Sequence, residues 1–281
     1  MVVQQHRRRG GALAVVALAV AGAVATSGCS SGADAAAEDR RGADAVDAVR
    51  RSADVLAGTG SAKARTSMEM ATGGTRVTIR GEGSFDFRQR IGQLEVMLPK
   101  DPSGKEGHRP ITELLAPGAL YMKNRGAGVP ADKWVRVDTT TLPDGNLVTG
   151  GATDPLAAAE LLRGARDVTY VGETDLAGTK VLHYRGVTDI ARAARVASPQ
   201  TRSALAAAAK GFSKNAVPFD VYLDEQGRLR KVRHRFSFVN GKGKEGGAVA
   251  VASTTLLFGF GAPVKVQLPP ARDIFAGKIA D

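Results

Sequence analysis

Between Thr75 and Arg88 hydrophobic and polar residues alternate without a break. One side of the run is Val77, Ile79, Gly81, Gly83, Phe85 and Phe87; the other is Arg76, Thr78, Arg80, Glu82, Ser84, Asp86 and Arg88. A strict period of two over this length predicts a long β-strand with one apolar and one wet face. Leu94, Val96 and Leu98 carry the alternation into a next strand. Residues 120–123 and 133–137 read as two more, separated by a loop containing Gly and Pro. Further strands are expected at 167–172 and 180–185, joined by Asp175-Leu176-Ala177-Gly178, and at 217–223, 229–239, 248–258 and 264–268. Asp224-Glu225-Gln226-Gly227 and Asn240-Gly241-Lys242-Gly243 are turn chemistry, so the last four strands read as an up-and-down meander.

Helical spacing replaces this alternation in three places. Ala43, Val46, Val49, Val55 and Leu56 mark one helix, which Gly58-Thr59-Gly60 ends. Thr153-Asp154-Pro155 opens a second with a capping residue and a proline in the first turn, and Gly164 closes it. Residues 188–212 are rich in Ala and Arg and break at Ser198-Pro199, as one interrupted helix or two short ones. No strand–helix–strand rhythm recurs, which disfavours a parallel sheet. The expected fold class is α+β: a single large curved antiparallel sheet, a half-barrel, with helices covering its concave apolar face. Where such helices do not fill the curl, an apolar cavity remains. The candidate lining is Val77, Ile79, Gly81, Gly83, Phe85, Phe87, Leu94, Val96, Phe219, Val221, Val232, Phe236 and Phe238. Gly81 and Gly83 are read as leaving room beneath the helices, and plain core packing is the competing reading for each of these residues.

The N-terminus changes the setting. Arg7, Arg8 and Arg9 precede an apolar run from Gly11 to Val24, which ends in Ala25-Thr26-Ser27-Gly28-Cys29. The run falls short of the roughly 20 apolar residues of a membrane span, and it has the layout of a signal peptide. Cys29 is the only cysteine and stands where a bacterial lipoprotein carries its diacylglyceryl group, although Thr26 replaces the usual Leu. Residues 1–28 are therefore read as a lipoprotein signal, 29–41 as a lipidated flexible tether, and 42–281 as one domain. The alternative is an ordinary secretory signal cut at Ala21-Gly22-Ala23 or Ala23-Val24-Ala25. The arginines leave export through the general or the twin-arginine route open.

Charge and chemistry narrow the function. The net charge is +11, and removing residues 1–28 takes away three arginines and no acid. The basic residues are scattered (Arg76, Arg80, Arg88, Arg230, Lys231, Arg233, Arg235, Lys242, Lys244), which fits a solvated strand face better than a polyanion site. An export signal and 5% aromatic residues argue against nucleic acid. His183 and His234 lie inside strand patterns and read as structural hydrogen-bonding residues; with His108 they complete the histidines beyond the signal. No nucleophile elbow and no metal-ligand spacing is present in the sequence, so no enzyme, metal or cofactor is expected beyond the acyl modification of Cys29. Asp220 and Asp224 share a face, but Asp224 opens a turn.

Several hairpins are similar to a known family. Gly118-Ala119-Leu120-Tyr121-Met122-Lys123 with Lys133-Trp134, Val171 to Gly186, Pro218 to Leu229, and Phe258 to Pro270 resemble, in order, the hairpins of actinobacterial LppX/LprG-type lipoproteins. Tyr222 stands where Trp is commoner, and the 240–247 stretch is longer than in those proteins. The resemblance implies a half-barrel like that of the LolA/LolB carriers, binding acyl chains, lipids or lipoglycans and carrying or presenting them. The partners then expected are that lipid, the outer face of the cytoplasmic membrane through the anchor, and an envelope transporter or second lipoprotein, with the chain itself a monomer. The rival reading is an anchored, non-enzymatic adaptor or sensor with a filled core.

Overall fold

The computed structural model describes residues 30–277, apart from 73–74, 100–108, 127, 149–153 and 240–247. Helix α1 (Ser30–Gly58) leads into β1 (Ser61–Thr72), β2 (Thr75–Asp86), β3 (Ile91–Met97), β4 (Ile111–Ala116), β5 (Ala119–Lys123) and β6 (Val135–Asp138). Helix α2 (Pro155–Leu161) and a 3-10 turn (Leu162–Gly164) follow, then β7 (Ala165–Asp175) and β8 (Lys180–Asp189). After α3 (Ile190–Val196) and α4 (Pro199–Gly211) come β9 (Ala216–Asp224), β10 (Leu229–Val239) and β11 (Ala248–Phe258).

The strands form one antiparallel sheet in the order β6-β5-β4-β3-β2-β1-β11-β10-β9-β8-β7. It is two meanders laid side by side. The first runs outward from β1 to the edge at β6. The second starts at the other edge, β7, and returns to β11. The sheet stays open, and the expected α+β class with a single curved sheet is what the structure shows. Edge strand β7 carries two register shifts against β8, a common device for interrupting an edge.

Local sequence explains the helix boundaries. Asp154 caps α2 by accepting from the Leu156 N–H, with Pro155 in the first turn. Asp189 caps α3 through the Arg192 N–H, and Pro199 opens α4. Helix α1 begins earlier than the hydrophobic spacing suggested and takes in the stretch read as a flexible tether. Ala33, Ala35, Ala36, Ala37 and Glu38 are strong helix formers that need no apolar stripe to continue a helix.

Two strands, β1 and β4, were not anticipated, and one expected strand, 264–268, is not in the sheet. That segment leaves the sheet because the chain is tied off before it: Gly261 N–H donates to Ser61 O (2.9 Å), and Ser61 Oγ donates to Ala262 O (2.6 Å). Pro263, Pro269 and Pro270 then supply no N–H to a ladder. The tail ends against the far edge, where Trp134 N–H donates to Asp273 O and Phe275 N–H to Trp134 O, both 2.8 Å.

Glycines set how closely β2 and β3 approach. A Cβ on Gly83 would fall on the Gln93 carbonyl oxygen of the neighbouring strand. Gly83→Ala should therefore destabilise the fold by about 1–3 kcal/mol. Gly58→Ala, where a Cβ meets nothing within 4 Å, should be neutral or slightly stabilising. Denaturant unfolding of the two variants checks this.

Candidate functional site: the concave face

The strand registers arrange the inward residues in rows that cross the sheet. One row is Phe236, Val251, Met70, Val77. The next is Gly186, Phe219, His234, Ser253, Met68, Ile79. A third is Tyr184, Val221, Val232, Thr255, Thr66, Gly81, Val96, Ile111. A fourth includes Leu257, Ala64, Gly83, Leu94, Glu113, Met122, and a fifth Ala62, Phe85, Gly92, Leu115, Leu120. Together they form a mostly apolar floor, interrupted by His234, Ser253, Thr66, Thr255 and Glu113.

Most of the expected lining residues meet on this floor. Ile79, Phe85, Phe87, Leu94, Val96, Phe219, Val221, Val232 and Phe236 are buried in one hydrophobic cluster, and Val77 packs half-buried against it. They are packed under the helices, so in this conformation they act as core. The Phe238 side chain and Cys29 lie outside the described residues, as does His108. The two glycines do not leave open room, which corrects the expectation for them. Gly83 gives way to the β3 backbone, and the space beside Gly81 belongs to the Thr66 hydroxyl, 2.6 Å from where a Cβ would sit. Elsewhere phenylalanines fill the gap over a glycine: Phe85 covers Gly92 on β3, and Phe219 covers Gly186 on β8.

The roof differs in character from the floor. Its buried residues include Ala45 and Ala53 of α1, Ala158 and Ala159 of α2, Ala193 and Ala194 of α3, and Ala208 of α4, interspersed with Val49, Leu56, Leu156, Leu161, Ile190 and Leu205. An alanine contributes about one methyl of apolar burial, roughly 0.8 kcal/mol. The helices are instead stitched to one another by polar contacts. Arg163 donates to Asp54 of α1 (2.6 Å) and to Glu160 of α2 (2.9 Å), and Glu160 accepts the Ser198 N–H at the start of α4 (2.9 Å). Ties to the sheet lie at the margins: Arg90 donates to the hydroxyls of Ser198 and Thr201, and Arg50 to Ala165 O. Where α1 meets the floor, a cleft of about 290 Å³ lies between Ala48, Arg51 and Val55 on one side and Leu182, Tyr184 and Leu223 on the other. A smaller one of about 50 Å³ separates α2 and α4 from the β4–β5 turn.

An acid and a base, Glu113 and His234, face inward. Glu113 is fully buried, with neither carboxylate oxygen hydrogen-bonded. Burial pushes its pKa up to about 8, opposed only by the distant Arg125. His234 is buried against Phe219 and Phe236, its Nε2 has no partner, and burial lowers its pKa to about 3. It is a neutral ring without the Nε2 hydrogen bond expected of a structural strand histidine. Thr66 and Thr255 also lie inward, buried, with hydroxyls that have no partner. The sequence pattern missed both threonines and Glu113, because polar residues at inward positions erase the alternation that reveals a strand.

The outer face carries the other histidine. His183 Nε2 lies 2.9 Å from Asp220, and its ring stacks on Tyr222 at 4.3 Å. Burial pushes the Asp220 carboxyl up, but hydrogen bonds from Arg235, His183 and Arg185 outweigh it and hold the pKa at about 2. The cluster clamps β8, β9 and β10 together with no nucleophile beside it. Asp224 accepts from the Gln226 and Arg228 N–H groups of its turn. Arg76, Arg80, Arg88 and Arg235 are exposed, while Arg233 pairs with Glu69 and Lys231 lies over Tyr222, as a solvated strand face would have it. Among the described residues no cluster of three or more His, Cys, Asp or Glu side chains is gathered for a metal, and no helix is long and apolar enough to cross a membrane.

Three of the four segments that carry the sequence resemblance are strand pairs of this sheet, β5–β6, β7–β8 and β9–β10, and the fourth, Phe258 to Pro270, leaves the sheet after β11. Solved structures with a similar fold include the lipoprotein LppX of Mycobacterium tuberculosis, at 11% identity over 80% of this chain and 98% of that one, with a TM-score of 0.48. LprF of Mycobacterium bovis is 14% identical over 80% and 97%, with a TM-score of 0.41. A LolA-superfamily protein of Nitrosomonas europaea is 10% identical over 75% and 93%, with a TM-score of 0.30. No family model matches the chain, and no curated protein does.

The inward acid and base make opposite contributions to stability with pH. Glu113 holds its proton in the folded state up to about pH 8 but loses it near 4.5 when unfolded, so its contribution falls as pH rises through that window. His234 must stay neutral, so its contribution falls as pH drops from 6.5 toward about 3. Glu113→Gln should remove the loss between pH 5 and 8, worth on the order of a few kcal/mol at the upper end. Melting curves across that range, compared with the parent chain, read the change in slope.

Proposed function

We propose that this chain is an exported lipoprotein, anchored through Cys29 to the outer face of the cytoplasmic membrane, which binds lipid acyl chains between floor and roof and carries or presents them in the cell envelope. The observation that carries this reading is the contrast between the two sides of the core. A floor of Phe, Leu and Val faces a roof that is rich in alanine, held together by its own polar contacts and pinned to the sheet at its margins.

The cleft of about 290 Å³ at the α1 seam is near the lower end of the roughly 300–1,000 Å³ of small-ligand sites. An acyl chain there would lie against Leu182, Tyr184 and Leu223, with Arg51 and the Asp224–Gly227 turn at the polar side of the cleft. Each buried methylene contributes roughly 0.8 kcal/mol, so a chain of about fifteen returns roughly 12 kcal/mol before ordering costs. That offsets the separation of a few alanine contacts, and no residue has to do chemistry. The adaptor reading calls for a contiguous apolar patch outside the fold. The exposed large hydrophobics Met97, Val196 and Leu268 lie on separate elements, and Tyr170 and Val171 share only the edge strand.

Intact mass of the protein from a bacterial membrane fraction should show a chain beginning at Cys29 with a diacylglyceryl adduct, and Cys29→Ala should release the protein from the membrane. Native mass spectrometry of the released Cys29→Ala chain should then find about one lipid per chain. A bare mass, with no uptake from vesicles of host lipid, would favour the adaptor.

A further inference from the structure

The middle of the floor is not apolar. Thr66 on β1 stands directly opposite Thr255 on β11, and His234 on β10 stands opposite Ser253, two residues along the same face of β11. Directly opposed side chains in an antiparallel pair have Cβ atoms about 4.5–5.5 Å apart. These residues thus make a polar block of two adjacent rows across the neighbouring strands β1, β11 and β10. Phe219, Phe236, Val232, Met68 and Val251 surround it.

Three members of the block are unpaired. Thr66 is 5% exposed, Thr255 1% and His234 1%, and Thr66 Oγ1, Thr255 Oγ1 and His234 Nε2 have no hydrogen-bond partner. A buried polar atom without a partner costs a fold about 1–3 kcal/mol. Valine in place of either threonine would avoid that cost at nearly the same volume. Glycine at position 81 adds to the pattern, because any larger residue would press on the Thr66 hydroxyl. The chain keeps hydroxyls where its own packing gains nothing from them.

The chemistry of the block limits what it can take. Two hydroxyls and a neutral imidazole both donate and accept hydrogen bonds and bring no charge. A carboxylate or phosphate would be stranded there without a cation. We propose that Thr66, Thr255 and His234 form a hydrogen-bonding subsite at the centre of the concave face, which takes an uncharged oxygen group, a hydroxyl or carbonyl, lying partway along a lipid whose hydrocarbon occupies the apolar rows on either side. This rests on the lipid-binding reading above and names the kind of lipid selected.

The test is a competition read by native mass spectrometry. The full chain carrying Cys29→Ala is incubated with equal amounts of methyl stearate, methyl 12-hydroxystearate and methyl 12-oxostearate, which differ only partway along the chain. The hydroxy and oxo esters should each bind about tenfold more than methyl stearate, the effect of one net hydrogen bond. In Thr66→Val/Thr255→Val that preference should vanish while methyl stearate still binds, and the Tm of the ligand-free protein should rise by about 4–8 °C. Thr66→Val alone should show half of both effects. Equal binding of the three esters to the parent chain, or a double variant that melts lower and keeps the preference, overturns the subsite and leaves the lipid-binding reading intact. If none of the three binds, the lipid-binding reading itself fails and the subsite fails with it.

Discussion

The pairing of β1 with β11 is the contact on which the rest of the structure depends. It runs in continuous register from Lys63–Phe258 to Ala71–Ala250 and joins the first meander to the second. Without it the chain would hold two smaller sheets, each with an unpaired edge and a half-exposed apolar face. Because the seam closes only after nearly the whole chain has been made, it ranks among the slow, non-local steps of folding. It also lies at the centre of the concave face. The residues that meet across it, Thr66 and Thr255, both carry buried hydroxyls that have no partner.

Once the seam is formed, floor and roof follow different rules. The floor is held by ladders joining all eleven strands and by aromatic rings laid over glycines on adjacent strands, so a small change there is felt at once. The roof is held by Arg163 between Asp54 and Glu160, and by Glu160 on the start of α4. Removing Arg163 would leave Glu160 buried and uncompensated. A roof whose helices are tied to one another can lift as one piece. A lipid carrier needs that property, and a fully interlocked core would lack it.

Much of the floor was legible in the alternation of its residues. Strands β2, β3, β9, β10 and β11 follow it closely, and the helix starts are marked by Asp154-Pro155 and Ser198-Pro199. The central seam was not legible. Strand β1 presents Ala62, Ala64, Thr66, Met68 and Met70 inward, too small or polar to stand out against Lys63, Arg65 and Ser67. Strand β4 hides Glu113 between Ile111 and Leu115. Both strands were lost for the reason that makes them informative: polar side chains occupy positions where the hydrophobic rule expects apolar ones. The glycines were misjudged for a related reason. A gap in a sequence pattern does not show whether space, a backbone or a neighbouring ring will occupy it.

The central claim is that lipid enters by lifting the roof from a fixed floor. The most direct measurement is the distance between spin labels at Ser203, exposed on α4, and Arg80, exposed on the outer face of β2, in the full chain with Cys29 replaced. The account predicts that this distance lengthens by several ångströms when lipid is taken up, while a pair at Arg80 and Arg235, both on the sheet, stays constant. A roof-to-sheet distance that does not change while lipid is demonstrably bound would contradict it.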